Sequence, residues 1–300
     1  MKTQLLIICG PTASSKSALA IECAKLLNTE IISADSMNVY KGLDIGSAKP
    51  TIEEREGIIH HLIDVVEPNE TFSVGDYRDM ALPIVEKLIS EDKIPIVCGG
   101  TGFYINSLLY DLSYGNSVSN LKAREKYFSI AEEKGKEYVY NILKEKDPKS
   151  AEKLHYNDLK RVVRALEIYE SGFLKSDQND VLIPKFDYKA YCINYNTETL
   201  YQRINQRVDK MIETGLLDEI KSLYNKGINE TFQCMQGIGY KEFFPYLNNE
   251  YSLDEAVEKV KLNTRHYAKR QKTFFKKLPA LIYLEPTDVK ILAKRIIQEL

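Results

Sequence analysis

The sequence predicts an α/β protein, a parallel sheet core with a mostly helical insertion, and three observations carry that prediction. Apolar runs such as Leu5-Leu6-Ile7-Ile8-Cys9 are continuous rather than alternating, as in parallel strands covered on both faces. Stretches of helical spacing separate these runs, which is the order of right-handed crossover units. In mid-chain the strand pattern stops and charged helical sequence takes its place, as if inserted between two strands of the core. The 300 residues allow one large or two modest domains.

Taken in order, the first strand over 5–9 runs into Gly10-Pro11-Thr12-Ala13-Ser14-Ser15-Lys16-Ser17 and then a helix over 18–27. A second strand spans 30–34 and ends on Asp35, and a third is expected over 61–66. Residues 74–91 alternate at helical spacing, and the strand at 94–98 ends on Gly99-Gly100-Thr101-Gly102. Residues 122–146 and 157–171 read as helices, followed by a polar turn at 176–180. A strand at 187–195 returns to the core, and the last strand lies at 280–284. Ser252-Leu253-Asp254-Glu255 is a capping box at the start of a long helix that carries Lys259 to Lys277. The expected division is therefore a core of residues 1–114 and 186–300 around an insertion of residues 115–185.

Composition excludes several classes. Lys+Arg 41 against Asp+Glu 43 gives a net charge of −2, so any nucleic-acid binding must come from local basic faces. Five cysteines with no C-x-x-C pair, and four histidines without metal-ligand spacing, argue against a disulfide scaffold and a zinc site. There is no G-x-S-x-G elbow. No apolar run approaches the roughly 20 residues of a membrane span, and Leu5 to Cys9 is too short for a signal segment, so a cytoplasmic location is expected. Nothing calls for an obligate oligomer; a monomer is expected.

The stretch from Gly10 to Ser17 differs from the G-x-x-x-x-G-K-[ST] phosphate loop only at Ser15, which stands in place of the second glycine. It follows a buried strand and opens a helix, where backbone N–H groups and the helix dipole cradle phosphates. The core is accordingly expected to be P-loop NTPase-like, with Lys16 on phosphate oxygens and Ser17 on Mg²⁺. If residue 15 needs a positive φ, serine costs about a kcal/mol or more relative to glycine. An NTP hydrolase should also end an apolar strand in an acid for Mg²⁺. Here the strand at 94–98 ends without one, and Asp64 is a weak substitute. That shifts weight from ATP hydrolysis toward a diphosphate used as leaving group.

Asp35 follows a strand at the carboxyl edge of the sheet, where it could serve as a general base, although the position also suits a turn aspartate. Thr101 could bond a bridging or leaving oxygen, or simply close a turn. Basic residues gather at Lys160-Arg161-Val162-Val163-Arg164, and from Lys259 to Lys277 in a stretch without an acid, with Tyr267, Phe274 and Phe275 among them. Two unopposed basic stretches with aromatics favour a polyanion groove over solvated faces.

Six ordered motifs together resemble bacterial tRNA dimethylallyltransferases. They are the phosphate loop, the run from Ser33 to Pro50, Gly99-Gly100-Thr101-Gly102, the run from His155 to Glu167, Gln236-Gly237-Ile238-Gly239-Tyr240-Lys241-Glu242, and the run from Thr264 to Gln271. The resemblance spans essentially the whole chain. It implies transfer of the dimethylallyl group of dimethylallyl diphosphate to N6 of the adenine immediately 3′ to the anticodon, in tRNAs reading codons that begin with U. On that resemblance the phosphate loop, residues Gly10, Pro11, Thr12, Ala13, Ser14, Ser15, Lys16 and Ser17, holds the prenyl diphosphate. Asp35 deprotonates the adenine amine, Thr101 lies by the bridging oxygen, and Arg203 and Arg207 meet the leaving diphosphate. The implied tRNA contacts are Asp35, Ser36, Met37, Asn38, Thr101, Arg124, Lys160, Arg161, Val162, Val163, Arg164, Gln236, Gly237, Ile238, Gly239, Tyr240, Lys241 and Arg270, with the insertion clasping the anticodon stem-loop.

Adenine N6 is a poor nucleophile and must leave its stack, so the chemistry needs an aligned carboxylate, strong stabilisation of the leaving diphosphate, and a looped RNA. The sequence departs from the family pattern at Ser15, at His266 where glutamine is frequent, and at Phe274 where tryptophan is common. Three other readings remain open here. An adenylate isopentenyltransferase using free AMP leaves the insertion unexplained, a P-loop small-molecule kinase needs an acid such as Asp64, and a non-catalytic RNA-binding protein leaves Lys16, Asp35 and Thr101 without purpose.

Overall fold

The computed structural model describes residues 3–112, 120–177 and 182–300. The expected start of the insertion at residue 115 and the end of the polar turn at 176–180 lie outside the described residues. The chain divides into two compact units, Met1–Leu109 with Pro184–Leu300, and Tyr110–Ile183.

The first unit is built on a six-stranded sheet in the order β3-β2-β4-β1-β5-β6, every pairing parallel. The strands are β1 (Leu5–Cys9), β2 (Ile31–Ser33), β3 (His60–His61), β4 (Ile96–Gly99), β5 (Tyr188–Ile193) and β6 (Leu281–Leu284). β1, β2 and β4 are buried at every residue, which is why their sequences are continuous apolar runs. Helices α1 (Lys16–Leu27) and α12 (Val289–Glu299) pack on Leu6, Ile8, Ile96 and Tyr191. Because all strands run the same way, the carboxyl ends of β1, β2 and β4 bring Gly10, Asp35 and Thr101 to one edge.

The expected strand at 61–66 is only the two residues His60 and His61. Leu62 and Asp64 adopt left-handed backbone, φ 59° and 57°, which ends an extended chain, and Val66 makes only an isolated bridge to Tyr40. Helices α2 (Val74–Ser90) and α3 (Gly102–Leu109) follow β3 and β4. After β5 come α8 (Thr197–Glu213), α9 (Leu216–Asn225), the short α10 (Phe244–Leu247) and the 23-residue α11 (Leu253–Phe275), which opens on the Ser252/Glu255 capping box. No helix among the described residues is long and apolar enough to cross a membrane.

The second unit is helical: α4 (Leu121–Lys134), α5 (Lys136–Lys146), the short α6 (Pro148–Ala151) and α7 (Leu159–Glu170). Gly135, with φ 87°, divides what the sequence suggested as one helical stretch into α4 and α5. Its core is Val139, Leu143, Val162, Val163 and Leu166, with Tyr127 and Ala131 of α4.

Candidate active site

The turn after β1 is held open by its backbone and by two side chains from the far end of the sequence. Ala13 and Ser15 both take left-handed φ, 60° and 61°, and Ser15 is the N-cap residue of α1 without capping through its own side chain. A left-handed conformation costs an L-residue about 1–2 kcal/mol. Ser15 receives a compensating contact that glycine could not: Arg203 Nη2 donates to its Oγ at 2.7 Å, while Arg203 Nε donates to Ala13 O at 2.8 Å. The Arg203 guanidinium also stacks on Tyr195, 4.7 Å from the ring centre. Arg203 therefore braces the phosphate loop from α8, and it lines neither of the two cavities beside that loop.

Gln271, on α11, joins this loop to the turn after β4. Its Oε1 accepts the Thr12 N–H at 2.9 Å and its Nε2 donates to Gly100 O at 2.9 Å, with the side chain buried. A Cβ on Gly100 would collide with Gln271 Nε2, so the close approach requires glycine.

Two adjoining cavities, about 320 Å³ and 60 Å³, share Thr12, Lys16, Asp35, Ser47 and Arg207. Arg207 Nη1 donates to Thr12 Oγ1 at 3.2 Å, and Lys16 Nζ to Pro11 O at 3.3 Å. Burial draws the Lys16 and Arg207 pKa values down, and the nearby Asp35 carboxylate opposes that in both. The result is two cations and one carboxylate on a common wall, the composition that receives a diphosphate on one side and a weakly acidic N–H on the other. Asp35 Oδ1 accepts the Met37 N–H at 2.9 Å, which fixes the carboxylate after β2. Tyr267 of α11 also lines the larger cavity; burial and the Asp35 charge push its phenol up to about 12, so it remains protonated.

Thr101 stands one contact back from the cavities. Its Oγ1 accepts the Ser36 N–H at 3.0 Å and donates to Ser36 Oγ at 3.3 Å, tying the turns after β4 and β2 together. Of the residues expected to meet RNA, Asp35, Ser36, Met37, Gln236, Gly237, Ile238, Lys241 and Arg270 line the larger cavity. Asn38 instead lines the smaller one, buried, and its Oδ1 finds no partner among the described residues. Tyr240 is fully buried with its phenol on Glu219, and Gly239 is buried beside it, so neither presents a side chain to a ligand.

In the helical unit, the expected contacts Val162 and Val163 are corrected: both are core residues, placed inward by helical spacing with Leu159 and Leu166. Arg124 and Arg164 pair with the fully buried Glu167 at 3.0 and 2.8 Å, so much of their charge serves that carboxylate. Lys160 and Arg161 are exposed on α7.

The donor set suits a magnesium ion carried mainly by a ligand's own oxygens. Ser17 and Asp35 line the same small cavity, while no group of three His, Cys, Asp or Glu side chains gathers as a metal cage among the described residues. Asp64, the alternative acid, is in an ion pair with the buried Lys49 at 2.5 Å.

The family described as IPP transferase matches residues 38–278, most of the chain. The chain belongs to the IPP transferase family. It is 48% identical over 288 residues to a protein of Acetivibrio thermocellus named tRNA dimethylallyltransferase, covering 95% of this chain and 92% of that one. A protein of the same name from Alkaliphilus oremlandii is also 48% identical, over 282 residues and 92% of this chain and 90% of that one. Among solved structures, the full-length tRNA isopentenylpyrophosphate transferase of Bacillus halodurans aligns with a TM-score of 0.75 at 37% identity, covering 99% and 97% of the two chains. A eukaryotic dimethylallyltransferase described as acting on tRNA aligns with a TM-score of 0.83 at 34% identity, over 99% of this chain and 77% of its own.

Where the family pattern has tryptophan, Phe274 keeps an aromatic ring, its centre 5.4 Å from that of Phe103. His266 is exposed on α11. The sequence shows no role for Gln271. The only sequence signal for it was an amide in a helix otherwise rich in lysine and arginine.

Proposed function

We propose that this protein is a tRNA dimethylallyltransferase: it transfers the dimethylallyl group of dimethylallyl diphosphate to N6 of the adenine immediately 3′ to the anticodon, in tRNAs reading codons that begin with U. The observation that carries this reading is the common wall of Lys16, Arg207 and Asp35, in a chain of the IPP transferase family. Lys16 and Arg207 hold the diphosphate oxygens, and the amides of the phosphate loop at the start of α1 add their dipoles. Asp35 accepts the N6 proton. The bond between dimethylallyl C1 and the diphosphate oxygen breaks, the C1–N6 bond forms, and the diphosphate leaves with the bonding pair. Thr101 keeps Ser36 and the Asp35 turn in register, and Tyr267 shields the carboxylate from water. Magnesium, held by Ser17 and the diphosphate, would neutralise leaving-group charge.

In this reading Gln236, Gly237, Ile238, Lys241 and Arg270 meet the flipped nucleotide and its neighbours, and the helical unit grips the stem through Lys160 and Arg161. The enzyme works as a monomer in the cytoplasm. The kinase alternative loses its acid, because Asp64 is occupied by Lys49.

The test is transfer of radiolabelled dimethylallyl diphosphate to an unmodified anticodon stem-loop, with AMP as rival acceptor and ATP as rival donor. Label in the RNA, lost when the adenine 3′ to the anticodon is changed, is the expected result. Label in AMP alone moves the protein to an adenylate isopentenyltransferase, and no label in either overturns the reading.

A further inference from the structure

Glu219 is a partly buried carboxylate whose four partners come from two segments that each run into a wall of the larger cavity. It projects from α9 and its Oε2 accepts the backbone N–H groups of Asp44 at 2.9 Å and Ile45 at 2.7 Å. Its Oε1 accepts the Gly46 N–H at 3.1 Å and the Tyr240 phenol at 2.8 Å. Three successive amides converging on one carboxylate form an anion nest filled from within the protein. The turn they belong to continues into Gly46 and Ser47, which line the cavity, and Tyr240 sits between Ile238 and Lys241, which line it from another side. A side chain at Gly46 would strike the Tyr240 ring, so the two walls meet at van der Waals distance where Glu219 joins them. Burial and the neighbouring Glu219 charge push the Tyr240 phenol far up, so it remains a donor at every working pH. The same turn is anchored from below by Lys49, which donates to Asp44 Oδ1 at 2.6 Å and to Tyr40 O at 2.8 Å.

Neither wall supplies the anion-binding cations: Lys16 lies on α1 and Arg207 on α8. Loss of Glu219 should therefore disturb the shape offered to the acceptor while leaving the diphosphate grip intact.

We propose that Glu219 is a positioning residue that locks the 44–46 turn to the 236–241 segment and so sets the acceptor-binding shape of the larger cavity, a role that rests on the transfer reading above. Carboxylates that accept several charge-assisted bonds in one place are rigid supports, because each bond orients the next. Replacement by glutamine keeps the shape but turns one acceptor into a donor facing amide N–H groups or the phenol. Replacement by alanine removes all four bonds, and Tyr240→Phe removes one.

The experiment uses the full chain, with wild type, Glu219→Gln, Glu219→Ala and Tyr240→Phe. Stem-loop RNA and dimethylallyl diphosphate are titrated separately in the transfer assay, with active enzyme counted by a single-turnover burst. Binding of inorganic pyrophosphate is measured by calorimetry. Glu219→Gln is expected to lower kcat/KM for RNA about tenfold and Tyr240→Phe two- to threefold, with the KM for dimethylallyl diphosphate and pyrophosphate affinity within twofold of wild type. A purely structural role would lower the active fraction and the melting temperature while leaving both KM values per active enzyme unchanged, and that result overturns the proposal. An equal rise in both KM values overturns it too. Should Glu219→Ala not fold, the two milder variants decide. A wild type that transfers no label to RNA fails the transfer reading, whereas an active wild type matched by its variants fails this inference alone.

Discussion

Removing the amide that bridges the phosphate loop and the Gly-Gly-Thr-Gly turn tests how the site is held together. Gln271 makes two hydrogen bonds of 2.9 Å, to the Thr12 N–H and to Gly100 O, across 259 and 171 residues of sequence. It is 5% exposed. A neutral intramolecular hydrogen bond contributes about 1 kcal/mol net, so Gln271→Ala should cost about 2 kcal/mol before any cavity term. In a unit of this size that is about 4–8 °C in melting temperature. If the whole loss reaches the transition state it is about 30-fold in kcat/KM. Gln271→Glu is the sharper variant. One oxygen still accepts from Thr12, but the other faces the Gly100 carbonyl, and a buried negative charge enters the cavity wall that already holds Asp35 and must receive a diphosphate. Dimethylallyl diphosphate affinity should therefore fall further for Gln271→Glu than for Gln271→Ala, by about another tenfold, and recover partly as pH is lowered and the new carboxyl protonates. Steady-state transfer at varied diphosphate concentration, with thermal melts of both variants, makes the check. A Gln271→Glu enzyme with wild-type diphosphate KM would refute the bridging account.

Ser15→Gly should change stability by less than about 1 kcal/mol, because relief of left-handed strain offsets the lost Arg203 bond. Ser15→Ala keeps the strain without the bond and should lose about 1–2 kcal/mol; equal denaturation midpoints for Ser15→Ala and wild type would contradict the Ser15–Arg203 contact. In the helical unit, burial raises the Glu167 carboxyl but Arg164, Arg124 and the Asn120 N–H outweigh it, so its folded pKa lies below the ordinary 4.5. Its stabilisation is then fully present above about 4.5 and is lost as pH falls through the lower folded value. Glu167→Gln should destabilise residues 120–177 by about 2 kcal/mol, less than for a fully buried pair because both arginines are partly exposed. Hydrogen exchange should show acid loosening of that unit in wild type and little further loosening in the variant.

What the sequence disclosed was mostly what short-range patterning encodes. Continuous apolar runs mark β1 and β4, and the edge rule for parallel sheets brings Gly10, Asp35 and Thr101 to one edge from sequence alone. The Ser252/Glu255 capping box opened α11 as expected. The strand expected at 61–66 failed because left-handed turns at Leu62 and Asp64 leave no trace in apolar composition. Val162 and Val163 were grouped with their basic neighbours, although their i, i+3, i+4 spacing with Leu159 and Leu166 already placed them on the buried stripe. The bracing of the phosphate loop by Arg203 was not legible, because charge type alone cannot show that Ala13 O and Ser15 Oγ engage a guanidinium. Gln271 and Glu219 were out of reach for a different reason: most of their partners are backbone groups, the nearest 171 and 173 residues away, and every residue has those groups.

The central claim is that the Asp35 carboxylate, on the wall it shares with Lys16 and Arg207, removes the proton as the prenyl group transfers. The most direct measurement is the single-turnover rate of Asp35→Asn with saturating stem-loop RNA and labelled dimethylallyl diphosphate, beside its RNA and pyrophosphate affinities. The account predicts a fall in rate of about a hundredfold or more, with both affinities within a few fold of wild type. Transfer at the wild-type rate by Asp35→Asn would contradict it.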